Sequence, residues 1–131
     1  NGVCVSAAAG NGGSGGKVLF PASHPSSLAV TAVDEKLKGY AYASQGTRID
    51  VAGVGVGLNA AAPGGRRSVS GTSFATAVIS GALLRMPACN GGRNPAAMKE
   101  QVAARAQDLG ANGHDSVFGD GLFRLSAPAK K

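Results

Sequence analysis

Ser73 is the residue whose surroundings best suit chemistry, because it lies between small neighbours in Gly71-Thr72-Ser73-Phe74-Ala75. Residues 73–86 are apolar almost throughout and indicate a helix buried on most sides, beginning at this serine. A helix N-terminus presents free N–H groups and a positive dipole end, which stabilise a developing oxyanion. Serine is also an ordinary helix cap, so the motif alone is compatible with either role.

A second polar residue, Asn11, follows the strand-like run that ends in Ala9-Gly10. Its side-chain amide can donate to an oxyanion, although asparagine is also common in turns. The serine motif is similar to the nucleophile elbow of α/β-hydrolases, except that Ala75 replaces the second glycine of G-x-S-x-G.

A serine nucleophile needs a general base, and neither histidine of the chain is a good candidate. His24 lies in a predicted loop directly before Pro25, and His114 lies near the tail of the chain, so we expect two surface histidines. Asp115 follows His114 directly, but side chains at i and i+1 do not face each other on a helix.

The elements that must position these residues alternate between strands and helices, which predicts an α/β domain with a parallel sheet. Active sites of such sheets lie at the carboxyl ends of strands, where the glycine-rich loop 10–16 is expected. A neighbouring backbone packed on Gly81 would explain a glycine inside the first helix. Strands are predicted at 3–9, 28–33 and 49–52, helices at 73–86 and from Asn94 through Ala106 to a stop at Gly110, a turn at 63–65, and an extended element or hairpin at 118–125.

Composition limits the remaining possibilities. The 131 residues suffice for one domain, and a charged fraction of 15% argues against disorder. The net charge of +6 is scattered, and only Arg66-Arg67 and Lys130-Lys131 are adjacent, so no nucleic-acid partner is expected. No apolar run reaches the ~20 residues of a membrane span, so no membrane partner is expected. Cys4 and Cys89 can pair with each other, pair with another cysteine, or remain free.

Taken together and in this order, the motifs resemble the subtilisin-like serine protease family. The resemblance rests on VCVSAAAGNGG at 3–13, YASQGTRIDVA at 42–52 and GTSFATAVISGA at 71–82. It implies that residues 1–131 form the C-terminal half of the catalytic domain, a mostly parallel sheet flanked by helices, with a central buried helix starting at the serine.

The resemblance also implies roles for individual residues, together with a peptide or protein substrate. The expected nucleophile is Ser73, and the expected oxyanion hole combines the Asn11 side chain with the Ser73 N–H. Thr72 is expected to support this hole, and one wall of the pocket for the side chain before the scissile bond is expected from Ala8, Ala9 and Gly10.

The sequence departs from the family pattern in three places. Ala77 stands where the family usually has proline, and Ala52-Gly53-Val54-Gly55 replaces the usual A-P-G, which predicts a changed loop. The third departure is that the family's Asp and His should precede Ser73 on elements outside this sequence. We therefore expect an N-terminal half of the same protease, carrying the Asp and His, as partner.

Three functions remain open at this point. A serine endopeptidase part is favoured over a non-catalytic module that holds peptides by strand addition and over an esterase-like hydrolase. An upstream Asp and His would support the first, their absence from the gene the second, and ester-only reactivity the third. The resemblance implies no cofactor, allows calcium without identifying a site, and implies an extracellular or periplasmic location.

Overall fold

A five-stranded sheet forms the centre of the computed structural model, which describes residues 3–90 and 94–125. The strand order is β1-β2-β3-β7-β6, with β1, β2, β3 and β7 parallel and β6 antiparallel to β7. The predicted α/β architecture is thus confirmed. The elements are β1 Val5–Ala8, β2 Ser27–Val33, β3 Val51–Val54, β4 Leu58–Ala62, β5 Gly65–Val69, α1 Thr72–Leu83, α2 Pro95–Ala103, β6 Ala106–Gln107 and β7 Leu122–Phe123.

Strand β2 lies at the centre of the core, and all seven of its residues are buried. Leu28 and Val30 belong to one apolar cluster together with residues of both helices, such as Ile79 of α1 and Met98 of α2. Ala29 and Val33, among the alternate residues of β2, belong to two smaller clusters. A strand covered on both faces is predominantly apolar, which is why LAVTAV was recognisable in the sequence.

Helix α1 is buried along one face only. Thr72, Ala75, Ile79 and Leu83 are its buried residues, whereas the opposite face, including Ala77, Ser80 and Gly81, is exposed. The expectation that a backbone packs on Gly81 is wrong for the described residues, because nothing lies within 4 Å of a Cβ placed there. The helix also ends at Leu83, before the predicted Met86, because the following residues form tight turns.

The structure differs from the predicted elements in three further places. The turn predicted at 63–65 is present, but it joins an antiparallel hairpin, β4–β5, over residues 58–69; its strands were not predicted because both are largely exposed and lack apolar alternation. Ala106 lies in β6 rather than in a helix, since α2 ends at Ala103. The third strand spans Val51–Val54, two residues later than predicted.

A helix cap and a disulfide stabilise the region that follows α1. Asn94 caps α2 as predicted, its side-chain oxygen accepting from the N–H groups of Ala96 and Ala97. Cys4 and Cys89 form a disulfide that spans 85 residues of sequence, which decides among the three alternatives. The bridge ties the start of β1 to the turns after α1. Gly91 and Gly92, predicted to help end the first helix, lie outside the described residues.

Candidate active site

The loop after β1 and the start of α1 meet at Asn11 and Thr72. Asn11 Oδ1 accepts two hydrogen bonds from Thr72, one from the backbone N–H at 3.1 Å and one from Oγ1 at 3.0 Å. The Gly10 N–H donates to the same Thr72 hydroxyl at 3.3 Å. Because its oxygen is held in this way, the Asn11 side chain is fixed in orientation and its NH₂ group remains available to another acceptor.

Ser73 lies at the N-terminal turn of α1 with its side chain exposed. A Cβ placed on Gly71 would lie 3.4 Å from Ser73 Oγ and 3.6 Å from Asn11 Nδ2. The serine hydroxyl and the asparagine amide therefore border the same small space, which a side chain at position 71 would fill. This is the arrangement that a nucleophile and an oxyanion donor require.

Close packing on β3 sets the position of this turn. The Gly71 N–H donates to the Gly55 carbonyl at 2.9 Å, and a Cβ on Gly55 would lie 2.7 Å from the Ala75 backbone nitrogen. Gly53 leaves similarly little room beside Ile79. The glycines at the departure from the family's A-P-G pattern therefore let α1 lie directly against β3.

Ser44 is a supporting residue to which the sequence reasoning assigned no role. It is buried, its backbone N–H donates to the Gly10 carbonyl at 2.9 Å, and its hydroxyl accepts from the Gly12 N–H at 3.2 Å. These two bonds hold both sides of Asn11 in place. Ser44 lies in the motif at 42–52, which was the one indication in the sequence that it has a role. Serine is so common in loops, however, that the motif did not predict this contact.

A cavity of about 380 Å³ adjoins Asn11. Ala8, Ala9 and Gly10, the three residues predicted for a pocket wall, all line it, as does Ser44. Larger cavities lie elsewhere, along the exposed face of α1.

Both histidines are exposed, as predicted. His24 Nδ1 accepts from the Ser26 N–H at 3.2 Å. His114 Nδ1 lies 2.8 Å from Asp120 Oδ1, and this hydrogen bond raises the pKa of His114 above its ordinary value. Within residues 3–90 and 94–125, neither imidazole hydrogen-bonds Ser73.

Asp115 has a structural part in the closing turn. Burial by itself raises the pKa of its carboxyl, but N–H donors from Phe118, Val117 and Ala111 outweigh this effect, so the pKa is lowered. The carboxylate thereby caps the turn that precedes β7 instead of orienting His114.

Comparison with known proteins agrees with this geometry. The model of the subtilase family matches residues 1–121. The chain belongs to the subtilase family. It is 33% identical to subtilisin from Bacillus pumilus, covering 99% of this chain and 48% of the relative. Identity to subtilisin E from Bacillus subtilis strain 168 is also 33%, over 99% of this chain and 34% of the relative.

A solved structure supports the same assignment. The prenylagaramide maturation protease PagA superposes with a TM-score of 0.78 at 28% identity, over 95% of this chain and 48% of that protein. This subtilase chain thus spans about half the length, or less, of these relatives.

The described residues of this subtilase chain form neither a metal-binding cluster nor a membrane-spanning helix. They contain no group of three or more His, Cys, Asp or Glu side chains arranged to hold a metal ion, so no residues can be assigned to calcium. In the same residues, no helix has both the length and the apolar character needed to cross a bilayer.

Proposed function

We propose that this chain supplies the nucleophile and the oxyanion hole of a serine endopeptidase. Ser73 Oγ attacks the peptide carbonyl carbon and loses its proton to a base. The base protonates the leaving amine as the C–N bond breaks, and water then hydrolyses the acyl-enzyme. The observation that carries this proposal is the double hydrogen bond from Thr72 to Asn11 Oδ1, which leaves the Asn11 amide free beside Ser73.

The general base comes from an N-terminal half of the same domain. The exposed face of α1 supports this part of the proposal, because Leu84 is 74% exposed and Val78 is 49% exposed. Gly81 presents open space beside a cavity of about 490 Å³. Small and apolar residues on an exposed helix face are suited to close packing against a partner. Strand β1 also has no neighbour on its outer edge among the described strands, so a further strand can pair there.

The proposed location is extracellular or periplasmic. The Cys4–Cys89 disulfide supports this, because disulfides persist in oxidising compartments. The proposed partners are the N-terminal half and a peptide or protein substrate, and no step of the mechanism requires a cofactor.

Labelling with a fluorophosphonate probe tests the proposal, on the native protein together with any fragment that co-purifies in native mass spectrometry. We expect covalent labelling of Ser73, its loss in Ser73→Ala, and full labelling in the matched variant Ser68→Ala, which removes an exposed hydroxyl on β5. Labelling of Ser73→Ala would show that another residue is the nucleophile. A complex with the N-terminal half that binds peptides but is never labelled would instead indicate a non-catalytic peptide-binding protein.

A further inference from the structure

Lys17 is a cationic residue in the lining of the cavity beside Asn11. Alanine and glycine form much of that lining, with Leu19, Phe20 and Ser44 at other points. Lys17 is the one lining residue that carries a formal charge, since no aspartate or glutamate takes part. The cavity therefore combines apolar surface with a single positive charge.

Within the described part of the chain, no carboxylate forms an ion pair with this lysine. The first acidic residue in the sequence is Asp34, and the two ion pairs found in the described residues involve Lys99 and His114. The nearby Ser44 hydroxyl already accepts the Gly12 N–H. The Lys17 ammonium is thus free to pair with an anionic group that enters the cavity.

The walls have little room for larger residues, so the shape of the cavity is set by the backbone. A Cβ on Gly10 would lie 2.8 Å from Ser44 Oγ, and one on Gly16 would lie 2.7 Å from the backbone of Gly12. Leu19 and Phe20 are 70% and 78% exposed, and they offer apolar contact to the methylene groups of an incoming side chain. A side chain with a short aliphatic stem and a terminal carboxylate matches this combination of surfaces.

The family resemblance assigns this cavity to the side chain that precedes the scissile bond, and we propose that Lys17 makes it prefer glutamate there. This inference rests on the proposed function, because it uses Asn11 and Ser73 as the reacting centre. An exposed ion pair stabilises by up to about 1 kcal/mol, which corresponds to about a fivefold preference in kcat/KM for glutamate over its neutral isostere glutamine. Salt should reduce this preference by screening the pair.

The test compares peptide substrates that differ only in Glu or Gln at this position, cleaved by this chain in complex with its N-terminal half. Lys17→Gln should abolish the glutamate preference. Lys36→Gln, an equal charge change at an exposed lysine that does not line the cavity, should retain it. Equal cleavage of both peptides, or a preference that survives Lys17→Gln, would overturn the assignment.

A binding measurement separates this proposal from the catalytic one. Amide-capped peptides ending in Glu or Gln differ only in side-chain charge, and their binding is followed through the amide resonances of Gly10, Asn11 and Gly12. We expect tighter binding of the Glu peptide, lost in Lys17→Gln, whether or not Ser73 reacts with the fluorophosphonate. Labelling of Ser73 with equal binding of both peptides would refute the role of Lys17 alone. Tighter Glu binding without labelling would refute only the catalytic proposal.

Discussion

Replacing Thr72 by valine tests how the candidate oxyanion hole is held together. The substitution keeps the shape of the buried side chain and the backbone N–H bond to Asn11, but removes the hydroxyl that donates to Asn11 Oδ1 at 3.0 Å. A typical hydrogen bond contributes about 0.5–1.5 kcal/mol. If the transition state loses this free energy because the Asn11 amide is no longer held in orientation, the rate of fluorophosphonate labelling should fall by about 2- to 13-fold.

The same substitution has a second and separable cost. The part-buried Gly10 N–H loses its acceptor, Thr72 Oγ1. A fully buried unsatisfied donor costs about 1–3 kcal/mol, so the lower end of that range applies here. We therefore expect a loss of stability of that size in urea unfolding. Thr72→Ser, which retains the hydroxyl, serves as the control and should keep most of the labelling rate.

A double-mutant cycle with Asn11→Ala makes the prediction refutable. If Thr72 acts on the reaction through Asn11, then Thr72→Val should slow labelling only while Asn11 is present. Equal slowing by Thr72→Val in both backgrounds would show that the hydroxyl acts independently of Asn11. Removal of an oxyanion-hole donor from subtilisin itself is known to cost about 2.7–4 kcal/mol, so Asn11→Ala should show the larger effect.

Three other predictions concern the scaffold. Replacing Cys4 and Cys89 by serine should cost about 4–5 kcal/mol of unfolding free energy, since the disulfide closes a loop of 85 residues; an unchanged urea midpoint would contradict this. Gly55→Ala should lower thermal stability and slow labelling together, because its Cβ would clash with the N-terminal turn of α1; stability equal to the wild type would refute the close packing. The raised pKa of His114 means that its contact with Asp120 stabilises the fold fully below the ordinary pKa of about 6.5. That stabilisation should disappear as the pH rises through the folded value, and a pH dependence of melting that is identical in His114→Gln would exclude it.

The sequence by itself determined the identity of the elements that are strongly patterned. The run LAVTAV predicted β2 because a strand buried on both faces is a nearly continuous apolar run. Asn94-Pro95 predicted the start of α2 because capping depends only on neighbouring residues. The motifs around Asn11 and Ser73 predicted the family for the same reason, since each is contiguous in the chain.

Tertiary structure decided what depends on residues distant in sequence. The Thr72–Asn11 bond joins residues 61 positions apart, and the support from Ser44 and the close approach of Gly55 likewise require folded neighbours. The hairpin β4–β5 escaped prediction because its exposed strands carry no apolar alternation, so cross-strand backbone pairing defines it. The sequence predicted a helix buried on most sides, whereas α1 is buried along one face, because an apolar pattern specifies that a surface packs but not which chain covers it.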